Sequence, residues 1–326
     1  MQKIAENIGN NFKLVRYQNI GMLIFTMFLL RYCIVQPILK ENGLDLAFPF
    51  YLFVLLVASI ALITAAGYVI NDYFDRKTDL INRPQKVLIG TKINRRYAMI
   101  FHSFLNVLGV LIGIYVSYKI GYLSFSIIFL LSSGLLWFYS TTYKKQLFVG
   151  NIVVSALTAA IPFMIVVFEI PAINMKFGSD IIMQQISLKP VIVSIACFCL
   201  FAYLVNLIRE IIKDAEDFEG DSAFGRNTVP IHFGMTVTKS LAITLIVTTI
   251  VCIFLTYYFL LPVVGLKNDV FTLVYIISLL IIPLIVSGYK LVIAAKKEHY
   301  SFLSQLMKAI MFFGVCYTLL FRYLIL

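Results

Sequence analysis

Nine apolar runs, each close to the length that carries an α-helix across a hydrocarbon core, constrain this chain more than any other feature. They fall at roughly 17–39, 47–70, 97–117, 120–142, 149–170, 190–208, 238–260, 270–289 and 302–325. With 61% hydrophobic and 13% charged residues over 326 positions, too little polar surface remains to coat a water-soluble globule. The bilayer must act as solvent. The expected fold is all-α: a polytopic membrane protein, a bundle of about nine transmembrane helices with a cytoplasmic-side cap, forming one domain over 1–326.

A polar, charged stretch of sixteen residues precedes the first run, and no small-residue cleavage pattern follows it, so the run reads as a retained span. Lys and Arg sort strongly by side. Those at the N-terminus and in the connections after spans two, four, six and eight number 19, counting Lys239 at the very start of span seven, against 5 in the alternate connections. The positive-inside bias then puts the N-terminus in the cytoplasm and the C-terminus outside. The net charge of +11 is what this topology and anionic membrane lipids produce, and it does not call for nucleic acid. Cys33, Cys197, Cys199, Cys252 and Cys316 all lie inside spans without metal-type spacing, and read as apolar packing.

In a chain with sixteen acidic residues, two clusters stand out. Asn71-Asp72-Tyr73-Phe74-Asp75-Arg76-Lys77-Thr78-Asp79 follows span two, and Asp214-Ala215-Glu216-Asp217-Phe218-Glu219-Gly220-Asp221 follows span six. Both fall on the cytoplasmic side. On a helix, Asn71, Asp75 and Asp79 share one face at i, i+4 and i+8, with Asp72 within a turn of Asp75. Asp214, Asp217 and Asp221, at i, i+3 and i+7, would likewise share a face, with Gly220 and Gly225 ending the helix in a cap. Stacked carboxylates repel, and hard divalent cations with oxygen ligands offset that repulsion, magnesium being held by a few carboxylates plus substrate phosphates. The plainer alternative is a solvated helix end whose acids balance Arg76, Lys77 and Arg83.

Two acidic patches with magnesium and cations at a bilayer surface suit departure of diphosphate from an allylic prenyl chain. The cations neutralise charge developing on the leaving oxygen. Aromatic faces shield the carbon left behind, and Tyr73, Phe74, Tyr139 and Tyr143 are placed for that or for ordinary interfacial anchoring.

The segment NDYFDRKTD resembles the NDxxDxxxD signature of the UbiA superfamily of intramembrane prenyltransferases, with Asn71, Asp72, Asp75 and Asp79 at its defining positions. Asp217 to Asp221 resembles the second signature, DxxxD, and the wider run Arg209 to Asp221 is most similar to the digeranylgeranylglyceryl phosphate synthase branch. Archaeal members of that branch continue Asn-Arg-Pro into a second Arg-Pro pair, whereas here Asn82-Arg83-Pro84 runs into Gln85-Lys86-Val87. The resemblance implies Mg2+-dependent transfer of a prenyl group from a polyprenyl diphosphate to a lipid or aromatic acceptor. It implies Asn71, Asp75 and Asp79 on one Mg2+, with Asp72 an extra ligand rotated by about 100°, and Asp214, Asp217 and Asp221 on the other. It further implies Asp75, Asp79, Asp217 and Asp221 as the catalytic set. Arg16, Asn19, Arg83, Tyr139, Lys144 or Lys145, Arg209 and Lys213 would then touch substrate.

Arg209, Lys213 and Arg16 favour a phosphate-bearing acceptor, geranylgeranylglyceryl phosphate, in ether-lipid synthesis. An aromatic acceptor such as a quinone precursor is the runner-up. His102, His232 and His299 are read as structural, so a metal-liganding carboxylate or the departing diphosphate is the base. A cation transporter is the distant alternative, since acids in membranes also mark ion pathways. Transport sites sit near the midplane, however, and Arg31, Glu169, Lys308 and Arg322 form no relay and read mostly as snorkelling side chains.

Overall fold

A computed structural model describes residues 9–266 and 269–325. Among the described residues nine helices are long and apolar enough to cross a membrane. They are α1 (Tyr17–Glu41), α2 (Phe50–Asn82), α3 (Arg95–Lys119), α4 (Leu123–Lys145), α5 (Val149–Gly178), α6 (Lys189–Glu216), α8 (Val229–Val263), α9 (Val270–Ile293) and α10 (Lys297–Ile325). A short helix, α7 (Phe218–Ala223), follows α6. The described residues hold no strand, as expected where lipid cannot satisfy open sheet edges.

Several helices outrun the apolar stretches that announce them. The second run ends at 70, yet α2 continues to Asn82, so its 33 residues reach about 50 Å, well beyond a hydrocarbon core of about 30 Å. Its last three turns carry the first acidic motif clear of the apolar run. Charged residues lower the hydropathy there without breaking the helix. The helix that holds span seven begins at Val229 rather than 238, with a kink at Gly234, whose φ of 80° only glycine adopts freely.

The chain forms two compact units. The first is built from the segment ending at Phe25, Pro49–Val154 and Asp217–Ile231. Here α2 and α3 lie in close contact because Gly109 gives the backbone room. A Cβ there would meet Ile63 Cγ1 at 2.8 Å, and Ser59 Oγ donates to the Gly109 carbonyl at 2.7 Å. Small residues and buried hydroxyls are how helices associate where no hydrophobic drive exists. Leu14, Ala65, Ala66, Val69, Ile89, Ile93, Ala98 and Leu105 form the core just before the acidic motif on α2.

The second unit comprises Thr26–Phe48, Ser155–Glu216 and the segment from His232. Gly314 of α10 lies against Phe201 of α6, whose ring would sit 2.3 Å from an added Cβ. Arg31 and Glu169 are each 1% exposed and pair at 3.2 Å, so they correct the snorkelling reading. Glu169 also accepts the Ala47 and Phe48 N–H groups at 2.7 and 2.9 Å, and Arg31 donates to the Phe48 carbonyl. The pair thus ties the α1–α2 connection to α5. Arg322 likewise donates inward, to the Tyr32 carbonyl.

Glu169→Ala strands a buried guanidinium and should cost about 3–5 kcal/mol, read as a lower unfolding midpoint in detergent. Joint replacement of Arg31 by Met and Glu169 by Leu should recover part of that loss. A single variant as stable as the parent would show that the pair does not hold this unit.

Candidate functional site

The first acidic motif is helical throughout. Asn71 and Asp75, one turn apart on α2, share a single cation: Lys144 Nζ donates to Asn71 Oδ1 at 3.0 Å and to an Asp75 carboxylate oxygen. Lys144 sits on a tight 3-10 turn, Tyr143–Lys145, which packs closely on the start of α5. A Cβ at Gly150 would meet Lys144 Cα at 2.9 Å. Sequence left Lys144 and Lys145 equivalent; Lys144 enters the cluster, while Lys145 is exposed and contributes its carbonyl to the Asn227 N–H.

Asp72 faces elsewhere, as its rotation on the helix requires. It accepts from Arg16 at 2.8 Å, and Arg16 lies 4.8 Å above the Tyr68 ring, whose hydroxyl accepts from Asn19 at 3.2 Å. Arg16 takes up a left-handed φ of 53° just before α1. Burial works against its charge, but Asp72, Tyr68 and Asp79 outweigh burial and hold the guanidinium above its ordinary range. Asp79 is half-buried, one turn before the end of α2.

The second motif differs from the single helical face that its spacing suggests. Helix α6 ends at Glu216 and α7 starts at Phe218, with Asp217 between them at φ −93° and ψ 9°. Asp214 therefore lies on the last turn of α6, in the second unit, while Asp217 and Asp221 belong to the first. A clamp positions α7. Buried Asn82, the last residue of α2, donates to the Asp217 carbonyl at 3.1 Å and accepts the Gly220 N–H at 3.0 Å. A Cβ at Gly220 would come within 2.5 Å of Asn82 Nδ2, so any side chain at 220 would force the Asn82 amide to shift. Arg83 then reaches both Asp217 carboxylate oxygens, at 3.1 and 3.3 Å.

Arg226, which the sequence reading passed over, joins the motifs. It is 9% exposed, and it donates to Asp75 Oδ1 at 2.6 Å and to Asp221 Oδ1 at 3.0 Å. Only its place five residues after Asp221, past a glycine, could have flagged it. Asn82 gave no signal beyond being a polar residue at a helix end. Four carboxylates in this unit, Asp72, Asp75, Asp217 and Asp221, thus pair with Arg16, Lys144, Arg226 and Arg83.

In the second unit Arg209 and Lys213 both pair with Glu210 on the same helix, a partner not foreseen from sequence. Of the aromatics, Tyr73 meets Phe74 edge-on at 5.3 Å and Phe74 meets Trp137 at 5.9 Å. Arg95 covers the Tyr73 face. Tyr139 is half-buried on α4. His102 Nδ1 lies 2.9 Å from the Ala66 carbonyl and His299 accepts the Ala295 N–H at 3.2 Å, both structural arrangements.

With this geometry, the comparison with known sequences decides the family, because residues 43–314 match the UbiA prenyltransferase family. The chain belongs to that family. It is 36% identical over 192 residues to the digeranylgeranylglyceryl phosphate synthase of Methanothermobacter thermautotrophicus, covering 58% of this chain and 59% of that one. It is 30% identical over 247 residues to the Methanosphaera stadtmanae enzyme of that name, covering 75% and 78%. The Methanosarcina mazei enzyme of the same name is 28% identical over 315 residues, covering 96% and 98%. The fold is similar to a chain from a structural study of digeranylgeranylglyceryl phosphate synthase in membranes, at TM-score 0.63 and 24% identity over 99% of both chains. It is also similar to a UbiA homologue from Archaeoglobus fulgidus bound to DMAPP and Mg2+, at TM-score 0.54 and 15% identity over 94% and 98%. The helical membrane fold described above is therefore one that this chain shares with those structures.

The first unit's donors suit the divalent ion this family implies. Among the described residues no three Asp, Glu, His or Cys side chains converge on one point. Yet the oxygens of Asn71 and Asp75 already converge on one cationic centre, the Lys144 ammonium. Hard oxygens gathered round a point of positive charge are the donor set that magnesium takes.

Gly220→Ala should push Asn82 off the α7 turn, at a cost of about 1–3 kcal/mol for the hydrogen bonds disturbed. Faster hydrogen exchange confined to Phe218–Ala223 is the expected readout. Unchanged protection there would mean that Asn82 does not hold the turn.

Proposed function

We propose that this UbiA-family chain transfers a geranylgeranyl group from its diphosphate to geranylgeranylglyceryl phosphate, in a Mg2+-dependent step of ether-lipid synthesis. The observation that carries the reading is Arg226, whose two pairs draw Asp75 of the first motif and Asp221 of the second to one guanidinium. The relatives named digeranylgeranylglyceryl phosphate synthase support the acceptor, and a neighbour bound to DMAPP and Mg2+ supports metal and prenyl diphosphate together. The whole chain acts as one domain, a reading supported by a family match that runs through segments of both units.

In the reaction the bond from prenyl C1 to the diphosphate oxygen breaks, and the acceptor hydroxyl oxygen bonds to C1. The proton leaves to a carboxylate of the site or to the departing diphosphate. Asn71, Asp75 and Asp79, with Asp72 as an extra ligand, would hold one magnesium, and Asp217 and Asp221 would hold the other. When bound, the metal neutralises the leaving group's charge. Arg16, Arg83 and Lys144 orient the diphosphate, with Asn19 and Tyr139 against substrate, and Arg209 and Lys213 take the acceptor phosphate. Lys145 has its carbonyl, rather than its ammonium, committed in this site, so Lys144 is assigned the contact.

Charge supports the dependence on metal. Each of the four cations in the cluster already answers a carboxylate, so a polyanion gains little there unless positive charge arrives with it. The motifs, the α7 turn and the N-terminus face the cytoplasm and the C-terminus lies outside, as the excess of Lys and Arg supports.

The deciding experiment offers geranylgeranyl diphosphate to the membrane-embedded protein with a panel of glyceryl phosphate and aromatic acceptors, with and without magnesium, and identifies the lipid by mass spectrometry. Product on an aromatic acceptor, or turnover without divalent metal, would overturn the reading. Asp217→Asn should lower turnover at least about a hundredfold with an unchanged melting transition. Asp75→Asn should do the same but also destabilise, because Asp75 is buried between two cations. Retained activity in both variants would remove the motifs from catalysis. Lys213→Ala should raise the acceptor's KM more than the diphosphate's; equal rises would move Lys213 to the leaving group.

A further inference from the structure

We infer that Glu210 is a positioning residue for the acceptor's phosphate, setting the Arg209 guanidinium so that its Nε edge is presented to the anion. The inference rests on the reading of Arg209 and Lys213 given under Proposed function, and it adds a residue that no sequence motif assigns a role.

Glu210 lies on the penultimate turns of α6 with its side chain 10% exposed. It receives Arg209 through Nη1 and Lys213 through Nζ at 4.0 Å. Neighbours at i and i+1 do not face each other on a helix, so the contact with Arg209 requires the guanidinium to fold back along the helix surface. That choice of nitrogen has a chemical consequence. With Nη1 engaged, the opposite edge of the guanidinium is Nε and Nη2, the fork that meets two oxygens of a phosphate. Arg209 Nε is buried and has no acceptor among the described groups. A buried donor without an acceptor costs about 1–3 kcal/mol, which a phosphate oxygen would offset.

Lys213 completes the site. At 4.0 Å its ammonium is close enough to feel Glu210 but beyond a hydrogen bond, so its donors are available to an anion. Both cations are drawn to one carboxylate, which gathers their donors at a single place on the helix for a phosphomonoester. Without Glu210 the two cations would repel each other and the guanidinium would lose its fixed edge. The expected effect of removing the carboxylate is weaker phosphate binding, even though the site becomes more positive.

The test uses the full chain in lipid nanodiscs and measures binding of geranylgeranylglyceryl phosphate, of its phosphate-free alcohol, and of geranylgeranyl diphosphate with magnesium. The parent protein should prefer the phosphate form to the alcohol by about tenfold or more, the strength of a charge-assisted fork. Glu210→Ala should weaken the phosphate form about fivefold or more and leave the alcohol and the diphosphate unchanged. Glu210→Gln keeps an oxygen for Arg209 Nη1 and should fall between the two; it decides the matter if the alanine variant fails to fold. A purely structural role would weaken all three ligands together, and that result would overturn the inference. So would unchanged or tighter phosphate binding in the glutamate variants while Lys213→Ala loses it, a result that leaves the acceptor reading standing. No preference for phosphate in the parent protein would overturn the acceptor reading itself, and Glu210's role with it.

Discussion

A carboxylate taken out of water needs cations or hydrogen-bond donors to offset the loss, and Asp75, among the most buried acids of the described residues, has two cations. Removing such a group from water costs several kcal/mol unless its partners are well placed. The requirement propagates outward. Lys144 must be brought in by a turn tight enough to need Gly150, and Arg226 must arrive from the loop after α7. Asp75 itself must ride on a helix that stays regular for three turns past its apolar run. Satisfying one carboxylate therefore fixes α2, the α4–α5 turn and the segment after α7 relative to one another within the first unit.

That cluster can be precise only if α2 does not shift. Close approach to α3 at Gly109 and the Ser59 hydrogen bond set its position, and the packed layer from Ala65 to Leu105 secures the turn just before Asn71. At its far end Asn82 holds the α7 turn with both ends of its side-chain amide, donating with its nitrogen and accepting with its oxygen. One helix thus carries the first motif, its own packing contacts and the clamp for the second motif.

Most of the architecture was legible in the sequence because a bilayer admits so few solutions. Runs of apolar residues near the spanning length have to be helices, and the count of nine stands among the described residues. The first motif was legible for the same reason, since i, i+4 spacing on a regular helix places Asn71 and Asp75 together and sends Asp72 elsewhere. The second motif was legible in its residues but not in its shape. Gly220 reads as a helix stop, yet the break falls at Asp217, where no glycine or proline marks it, because Asn82 and Arg83 from α2 stabilise the turn. Tertiary partners of that kind leave no periodicity. Arg226 and Glu210 escaped notice for a related reason: a charged residue beside a membrane span looks like a topology signal until its partner is known. Arg31 and Glu169 look like strays until they are seen against each other.

The pairing of acids with cations also bears on selectivity. Membrane surfaces carry anionic headgroups, and a bare cluster of Arg16, Arg83, Lys144 and Arg226 near one would attract any of them at about 1 kcal/mol per cation. Each of those residues instead carries its own carboxylate. A phospholipid phosphate then meets an array close to neutral and gains little. Under the proposed function, a diphosphate that brings divalent metal would meet carboxylates able to take the metal and cations released to take its oxygens, so attraction would depend on both arriving. The acids that would hold magnesium in the proposed reaction are, by the same electrostatics, what disfavours an anionic lipid in the site.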